Sequence, residues 1–370
     1  RKKYDFEVKE KIKKHIADSV LNVKDSLKAH RDSVKEATPR ILETFAFPDS
    51  LQYKRIIQWT HEREFHKMDV KQPDTSYNHW LHDYPFYRKD VNATWLGVAG
   101  SALQYYNWFN RTSENGVSFY NPYESWTYST KTLPMYNTKT PYTELAYFGT
   151  IFANAQKESD NLHILTTQNI FPELNFTLEY DRFGGNGSMQ GEKTTNKTFV
   201  TSVNYLGKRY MMHTGYIHNK VIRKENGGTS DNSMVRDTTL DAREYPINLN
   251  NASTDLIRNT FFLDQQYRIP FTFIRNIKDR KIDKAFKDSL LASGDTARID
   301  SLDVFLARRR AAREAADTLG DNNITTAFIG HSSEYSVFRK TYADQITDAA
   351  GKAFYNDVFN YNPTTSFDSV

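Results

Sequence analysis

Three residue patterns in this sequence could hold a metal ion or a phosphate group, and each departs from the known motif in spacing or in residue type. In "HEREFH" at 61–66 the two histidines lie five residues apart, whereas a zinc-protease pair needs histidines at i and i+4 on one helix face. The glycine-rich "GGNGS" at 184–188 lacks the Lys-Ser/Thr pair of a phosphate-binding loop and lies between predicted strands, and we interpret it as a turn. An acidic loop lacks the spacing of a calcium-binding loop; it contains Asp231, Asp237, Asp241 and Glu244.

Aromatic residues are concentrated in the irregular stretch at 85–128. Exposed rings there would suit a carbohydrate-binding surface, with Trp108, Trp126 and Tyr128 as the candidate residues. The simpler interpretation, which we favour, is that these rings pack against the protein, in a plug or at a membrane interface. No nucleophile with a neighbouring base can be identified. The sequence therefore predicts a protein that is not an enzyme and that has no metal site and no cofactor.

Composition excludes several classes of protein. The chain of 370 residues has no cysteine, which excludes disulfides and thiolate metal sites. Its net charge of +4 comes from 49 basic and 45 acidic residues, and this balance gives no reason to propose nucleic acid as a partner. Mean hydropathy is −0.70, and no stretch of about 18 apolar residues occurs, so no transmembrane helix is predicted. A polar chain with 14% aromatic residues fits a membrane β-barrel as well as a soluble β protein.

The first element, residues 1–45, has the pattern of a charged amphipathic helix. Its apolar residues recur every three or four positions and form one stripe: Ile12, Ile16, Val20, Val23 and Leu27. Pro39 limits the helix on its C-terminal side. The stripe predicts either a solvated helix lying on the body of the protein or a docking site for a partner protein.

Residues 46–140 are irregular and plug-like, whereas residues 141–370 have the pattern of strands. About seven strands are predicted, near 143–156, 162–170, 174–183, 197–206, 209–221, 259–269 and 325–340. Very short connections, "FPE" at 171–173 and "LGKR" at 206–209, alternate with long polar ones. Outer-membrane barrels have this asymmetry, with the short turns on the periplasmic side. We therefore predict an all-β, antiparallel transmembrane β-barrel, of which these strands form an unclosed part.

A helical insertion interrupts the predicted strands at 275–322. Gly294 breaks it and Gly320 ends it, which predicts two helices. If the two short turns are periplasmic, strand counting places the insertion and the irregular segment in the periplasm too. Residues 278–320 are basic at both ends around a short apolar stripe. So short a stripe must pack on the barrel rim, the N-terminal helix or a partner, unless the segment is a flexible linker.

The strand at 174–181 shows the alternation of apolar and polar residues most clearly. One side carries Leu174, Phe176, Leu178 and Tyr180, and the other carries Asn175, Thr177, Glu179 and Asp181. A soluble sandwich would turn the apolar side inward, whereas a membrane barrel turns it towards lipid and lines its lumen with the polar side. The strand alone leaves both orientations open.

Three segments together resemble the putative-porin family of the Bacteroides group of bacteria: "NATWLGVAGSALQYYNWF" at 92–109, "FYNPYESW" at 119–126 and "YNTKTPYTELAYFGT" at 136–150. The resemblance covers most of the chain from about residue 38 onward. It implies an outer-membrane β-barrel from which a signal peptide has been removed, with further strands beyond Val370. It also implies that the apolar side of the strand at 174–181 faces lipid and the polar side faces the lumen.

The resemblance leads us to expect a bacterial outer-membrane protein that forms a pore or a scaffold. The alternative is a barrel subunit without transport activity, in an envelope complex for secretion or outer-membrane protein assembly. A soluble sugar-binding β protein is the third hypothesis. The expected partners are outer-membrane lipid and other envelope proteins, which would bind through the N-terminal helix and residues 278–320. No nucleic acid partner is expected.

Overall fold

The structure is a computed structural model that describes residues 2–44, 55–62, 67–71, 92–111, 117–149, 159–237, 239–293, 302, 304–309, 312–313, 325–346, 349–361 and 368–369. The side chains of Ile12, Ile16 and Leu27 lie outside the described part of the chain, as do Gly294 and Gly320. By internal contacts the chain divides into two compact units. One contains residues 1–46, 206–211 and 266–330, and the other contains 47–205, 212–265 and 331–370. The predicted boundaries at residues 45 and 140 stay predictions.

Helix α1 spans Lys2–Ala37, and it ends two residues before Pro39, whose ring cannot continue a helix. Val20 and Val23 are half-buried, whereas Leu21 between them is 58% exposed. A 3₁₀ turn at Ile41–Thr44 follows, in which the Ile41 amide donates a hydrogen bond to the Gly207 carbonyl. The Val20 side of the helix is therefore the less exposed one.

The stretch from residue 55 to 138 builds two small sheets. Strands β1 (Ile56–Glu62), β2 (Lys67–Lys71) and β5 (Pro134–Thr138) form one sheet in the order β2-β1-β5. Strands β3 (Ala93–Trp95) and β4 (Leu103–Tyr105) form an antiparallel pair. Two 3₁₀ helices, Trp108–Arg111 and Asn121–Trp126, separate β4 from β5. We refer to the described residues between 55 and 138 as the covering segment.

The main sheet has eight antiparallel strands in sequence order, so the all-β prediction is confirmed. The strands are β6 (Tyr142–Phe148), β7 (Ser159–Phe171), β8 (Leu174–Asn186), β9 (Lys193–Leu206), β10 (Tyr210–Lys224), β11 (Ser253–Pro270), β12 (Thr325–Asp344) and β13 (Asp368–Ser369). The seven predicted strands correspond to β6–β12. In the described residues β6 and β13 are the two ends of the sheet, which is not closed into a barrel, as predicted.

The connections of the main sheet differ at its two ends. Pro172 and Glu173 join β7 to β8, and residues 207–209 join β9 to β10. At the other end, residues 187–192 join β8 to β9 and residues 225–252 join β10 to β11. The predicted alternation of short and long connections is therefore present.

Helical elements follow β11 and β12. Helix α2 spans Phe271–Ser293, and residues 302, 304–309 and 312–313 are helical as well, as predicted for this insertion. Helix α3 spans Ala349–Phe359, and its Tyr355 packs in a core cluster with Leu249, Ala252 and Ile346. Among the described helices, none combines the length and the apolar character needed to cross a membrane.

Candidate functional site

The two faces of the main sheet differ in exposure, and along β8 they differ in polarity as well. Asn175, Thr177 and Glu179 are 0%, 1% and 1% exposed, because the covering segment lies over their face of the sheet. Phe176 on the other face is 37% exposed. Asp181 is half-buried on the covered face, and Leu174, Leu178 and Tyr180 are half-buried on the other. We call these the covered face and the exposed face.

Buried amides and hydroxyls connect the covered face to the covering segment. The Thr177 hydroxyl donates to the Thr167 hydroxyl at 2.9 Å within the sheet. The Asn204 amide, 0% exposed and paired with Asn175 across strands, donates to the Tyr136 carbonyl of β5 at 2.9 Å. A buried polar group costs free energy unless it is hydrogen-bonded, so these bonds are what allow polar side chains to be buried here.

Tyr128 joins two strands of the covered face through the covering segment. Its hydroxyl donates to Glu179 Oε1 on β8 at 2.7 Å. Its carbonyl accepts from Asn219 Nδ2 on β10 at 2.9 Å. The Thr198 hydroxyl on β9 donates to Asn219 Oδ1, also at 2.9 Å. One residue of the covering segment is thus held from both sides of β9.

One group of side chains has the ligand types of a metal site. Donor atoms of His163, Glu179 and Asp181 lie within 4.8 Å of one another, the one such group in the part of the chain that the structure describes. His163 Nδ1 is 2.5 Å from Asp181 Oδ1 and 3.9 Å from Glu179 Oε1. Glu179 also accepts the Tyr128 hydroxyl. These contacts are those of a hydrogen-bonded cluster of one histidine and two carboxyl groups, and the absence of a metal site stays a prediction.

Arg258 on β11 is a second deeply buried charged residue of this face, at 1% exposure like Glu179. Its Nη1 lies 3.7 Å from Glu124 Oε1 of the covering segment, and its Nη2 lies 3.5 Å from Glu334 Oε1 of β12. Its Nε donates to the Thr260 hydroxyl at 3.1 Å. Two carboxylates from different elements therefore share one buried guanidinium, and one of them belongs to the covering segment.

Aromatic rings enclose the Arg258 guanidinium. Its carbon lies 5.8 Å from the ring centre of Tyr120 and 5.2 Å from that of Phe338, within the range of cation–π attraction. The Tyr120 and Thr127 hydroxyls are 2.9 Å apart. Burial raises the pKa of Tyr120 to about 12, so this hydroxyl keeps its proton at neutral pH. We call Arg258, Glu124, Glu334, Tyr120 and Phe338 the Arg258 cluster.

His61, from the rejected zinc pattern, lies in β1 and is 3% exposed. Its ring stacks on that of His213 on β10, with 4.2 Å between the centres. Trp59 Nε1 donates to His213 Nε2 at 3.1 Å. His66 lies outside the described residues. The histidine of this pattern is thus part of the contact between the covering segment and the main sheet.

Two of the three aromatic residues considered for sugar binding are packed in the protein. Trp126 stacks on Phe183 of β8 at 5.1 Å and donates to the Ser101 carbonyl at 2.7 Å. Tyr128 is hydrogen-bonded as described above. Trp108 differs, because it is 71% exposed and the Arg111 guanidinium lies 5.5 Å from its ring centre. A sugar-binding surface built from all three rings is therefore not present.

The acidic loop uses its carboxylates in local turns. The Asp231 carboxylate accepts the Ser233 amide at 2.9 Å, and the Asp237 carboxylate accepts the Thr239 amide at 2.9 Å. Hydrogen bonds from Ser233 and Thr239 lower the pKa of the two carboxyls. Asp241 accepts from the Arg243 amide in the same way. These are the contacts of a solvated loop.

The sequence interpretation missed the Arg258 cluster. Arg258 stands at an inward position of β11, on the side of the strand that also carries Leu256, Thr260 and Phe262. A single arginine at such a position was a readable signal of a buried counter-charge. The residue that supplies this counter-charge cannot be predicted from the sequence around Arg258, because Glu124 is far away along the chain.

Comparison with known proteins gives a family for this chain. A family model described as "putative porin" matches residues 55–370. No curated protein and no solved structure matches the chain. The predicted family is thereby confirmed, while its restriction to the Bacteroides group stays a prediction. The matched region contains the covering segment and all eight strands of the main sheet, and the chain belongs to the putative-porin family.

Proposed function

We propose that this protein is a bacterial outer-membrane β-barrel whose exposed face contacts lipid and whose covered face lines a pore. On this proposal Leu174, Phe176, Leu178 and Tyr180 face lipid. Asn175, Thr177, Glu179 and Asp181 face the interior. The observation that carries the proposal is that along β8, from Leu174 to Asp181, the buried side of the strand is the polar one, the reverse of a soluble sandwich.

The limits of the apolar band support this orientation. Along β8 the exposed face remains uncharged from Leu174 to Tyr180, and the next outward residue is Arg182. Arg182 pairs across strands with Lys197 of β9. Lys220 of β10 is also charged, and its Nζ lies 3.5 Å from Asp255 of β11. Charges at one end of an apolar band are expected at the level of the lipid head groups.

The covering segment determines whether the pore is open. Residues 120–138 contact side chains on β7 to β12, among them Asn169, Asn204, Asn219, Arg258 and Glu334. Because it contacts so many strands, this segment would fill the space through which a solute passes. We therefore propose that small hydrophilic solutes pass only when this segment is displaced, and that the segment acts as a plug.

Conductance across a planar lipid bilayer tests the proposal. The intact protein, purified from outer membranes in detergent, should give discrete current steps of low open probability. Insertion is checked separately by the difference in gel mobility between unheated and heated samples, which reports a folded barrel. A protein that inserts and yet never conducts, even under conditions that loosen the covering segment, would contradict the pore.

A second candidate function is a barrel subunit without transport activity in an envelope complex. The extent of the covering segment favours it, because a simple diffusion pore has no need for a filled interior. The length of α1, Lys2–Ala37, also favours it. Stable co-purification with other envelope proteins, combined with the absence of conductance, would select this candidate over the pore.

A further inference from the structure

We propose that the first two turns of α2 enter the membrane, and that the basic turns after them bind anionic phospholipid head groups. This inference rests on the proposed function, since it takes the exposed face of the sheet as the lipid-facing one. It assigns a membrane contact to an element that is not a barrel strand.

The exposed apolar residues of α2 are concentrated at its beginning. Phe271, Phe273, Ile274 and Ile277 are 41%, 53%, 49% and 43% exposed. The helix follows β11 directly, and Tyr267 near the end of that strand is 45% exposed. The apolar surface therefore continues from the end of the strand into the start of α2. A helix surrounded by water would carry polar side chains at these exposed positions.

Another side of α2 is already packed against the helical residues 302–313. Asp283 is 2% exposed and its Oδ1 lies 3.2 Å from Arg313 Nη1, while Asp279 Oδ2 lies 3.9 Å from the same atom. The rings of Phe286 and Phe305 are 5.6 Å apart. With about 3.6 residues per turn, this packed side is turned well away from Phe273 and Ile277. The packing of α2 against residues 302–313 therefore does not cover Phe273 and Ile277.

The charges of α2 are distributed between the same two sides. Five basic side chains after Ile277 are exposed: Lys278, Arg280, Lys281, Lys284 and Lys287. Of the three acidic residues of the helix, Asp279 and Asp283 face arginines and Asp288 is exposed. The solvent side is therefore strongly positive, which is complementary to an anionic lipid surface.

The order of residues along α2 favours lipid over a protein partner. Most of the exposed large apolar residues lie next to the strand end, and apart from the half-buried Arg275 the charged residues lie farther along the axis. A helix that leaves a bilayer through its head-group layer needs this order, because Lys and Arg extend their charges to the interface. A protein partner would impose no such order.

Lipid quenching of a fluorescent label tests the proposal in this cysteine-free chain. The variants are Phe273→Cys and Leu291→Cys, each labelled with an environment-sensitive dye in vesicles that contain phosphatidylglycerol and brominated lipid. Leu291 is a matched control, since it is 51% exposed and lies five turns later on the same side of the helix, about 27 Å along the axis. Brominated lipid should quench the label at position 273 severalfold more than the label at 291.

A third label, at Leu178→Cys, separates the two proposals. Quenching at 178 without quenching at 273 overturns the lipid contact of α2 and leaves the proposed function standing. Absence of quenching at both positions overturns the proposed function. The label at 273 could also be shielded in native outer membranes and not in pure lipid vesicles. That result indicates a protein partner and overturns the lipid contact as well.

The head-group contact has its own test in the charge of the helix. Replacement of Lys278, Lys281 and Lys284 by glutamine should reduce quenching at 273 in phosphatidylglycerol vesicles and leave quenching at 178 unchanged. In phosphatidylcholine vesicles the same triple substitution should have little effect. Equal quenching at 273 with and without these lysines, in both lipids, would overturn the head-group part of the proposal.

Discussion

An arginine at Leu178 should destabilise the protein strongly if the exposed face contacts lipid. Leu178 lies midway between Leu174 and Arg182 on the exposed face of β8. With a rise of about 3.4 Å per residue and a strand tilt of about 40°, these two residues are about 20 Å apart along the bilayer normal. Leu178 is then near the middle of an apolar band about 25 Å tall. Leu178→Arg should therefore lower the free energy of unfolding by about 2–4 kcal/mol.

The matched control is an arginine at the edge of the same band. Leu162 of β7 pairs with Arg182 across strands, at the level where charges begin. Leu162→Arg should cost about 0–1 kcal/mol in lipid, together with a small repulsion from Arg182. Urea titrations of folding in lipid vesicles measure both values. Equal costs for the two variants, or a larger cost at Leu162, would refute the orientation of the sheet.

Three further predictions concern the contact between the covering segment and the sheet. Arg258→Met should lower the free energy of unfolding by about 3–5 kcal/mol, because it leaves two carboxylates facing each other without their cation; a neutral result in urea titrations would show that the cluster contributes nothing. Asn204→Ala should cost about 1–3 kcal/mol by the same titration, since it removes a donor to the Tyr136 carbonyl at a position that is 0% exposed. Gly100→Ala should destabilise more than Gly228→Ala in thermal unfolding: both glycines have positive φ, but a Cβ at Gly100 would lie 3.1 Å from a side-chain atom, whereas one at Gly228 would meet nothing within 4 Å. Similar midpoints for the two alanine variants would contradict the close packing around Gly100.

The strands of the main sheet could be predicted because their burial is one-sided. Alternation of apolar and polar residues marks such a strand wherever its partners lie in the chain. The prediction failed at strand ends: β11 was predicted at 259–269 and spans Ser253–Pro270, with the same alternation continuing from Thr254. Its first residues are small and polar, and they resemble a loop when neighbouring strands are not known.

The covering segment could not be predicted in the same way. Its shortest strands, such as β3 at Ala93–Trp95, are too short to show a period. Its position depends on contacts between residues far apart in sequence, such as Trp59 with His213 and Glu124 with Arg258. The sequence around each of these residues does not indicate which distant residue it contacts. The docking stripe predicted on α1 is only partly described. Its helix is present, while three of its five side chains lie outside the described residues.

The single-channel conductance of Glu124→Gln tests most directly whether the covering segment closes a pore. This change removes the charge that the segment places beside Arg258, and it leaves the Arg258–Glu334 pair within the sheet. Glu173→Gln, in the turn between β7 and β8, is the matched control. We expect a higher open probability for Glu124→Gln than for the unmodified protein, and no change for Glu173→Gln. A folded, inserted Glu124→Gln protein with unchanged conductance would contradict this expectation.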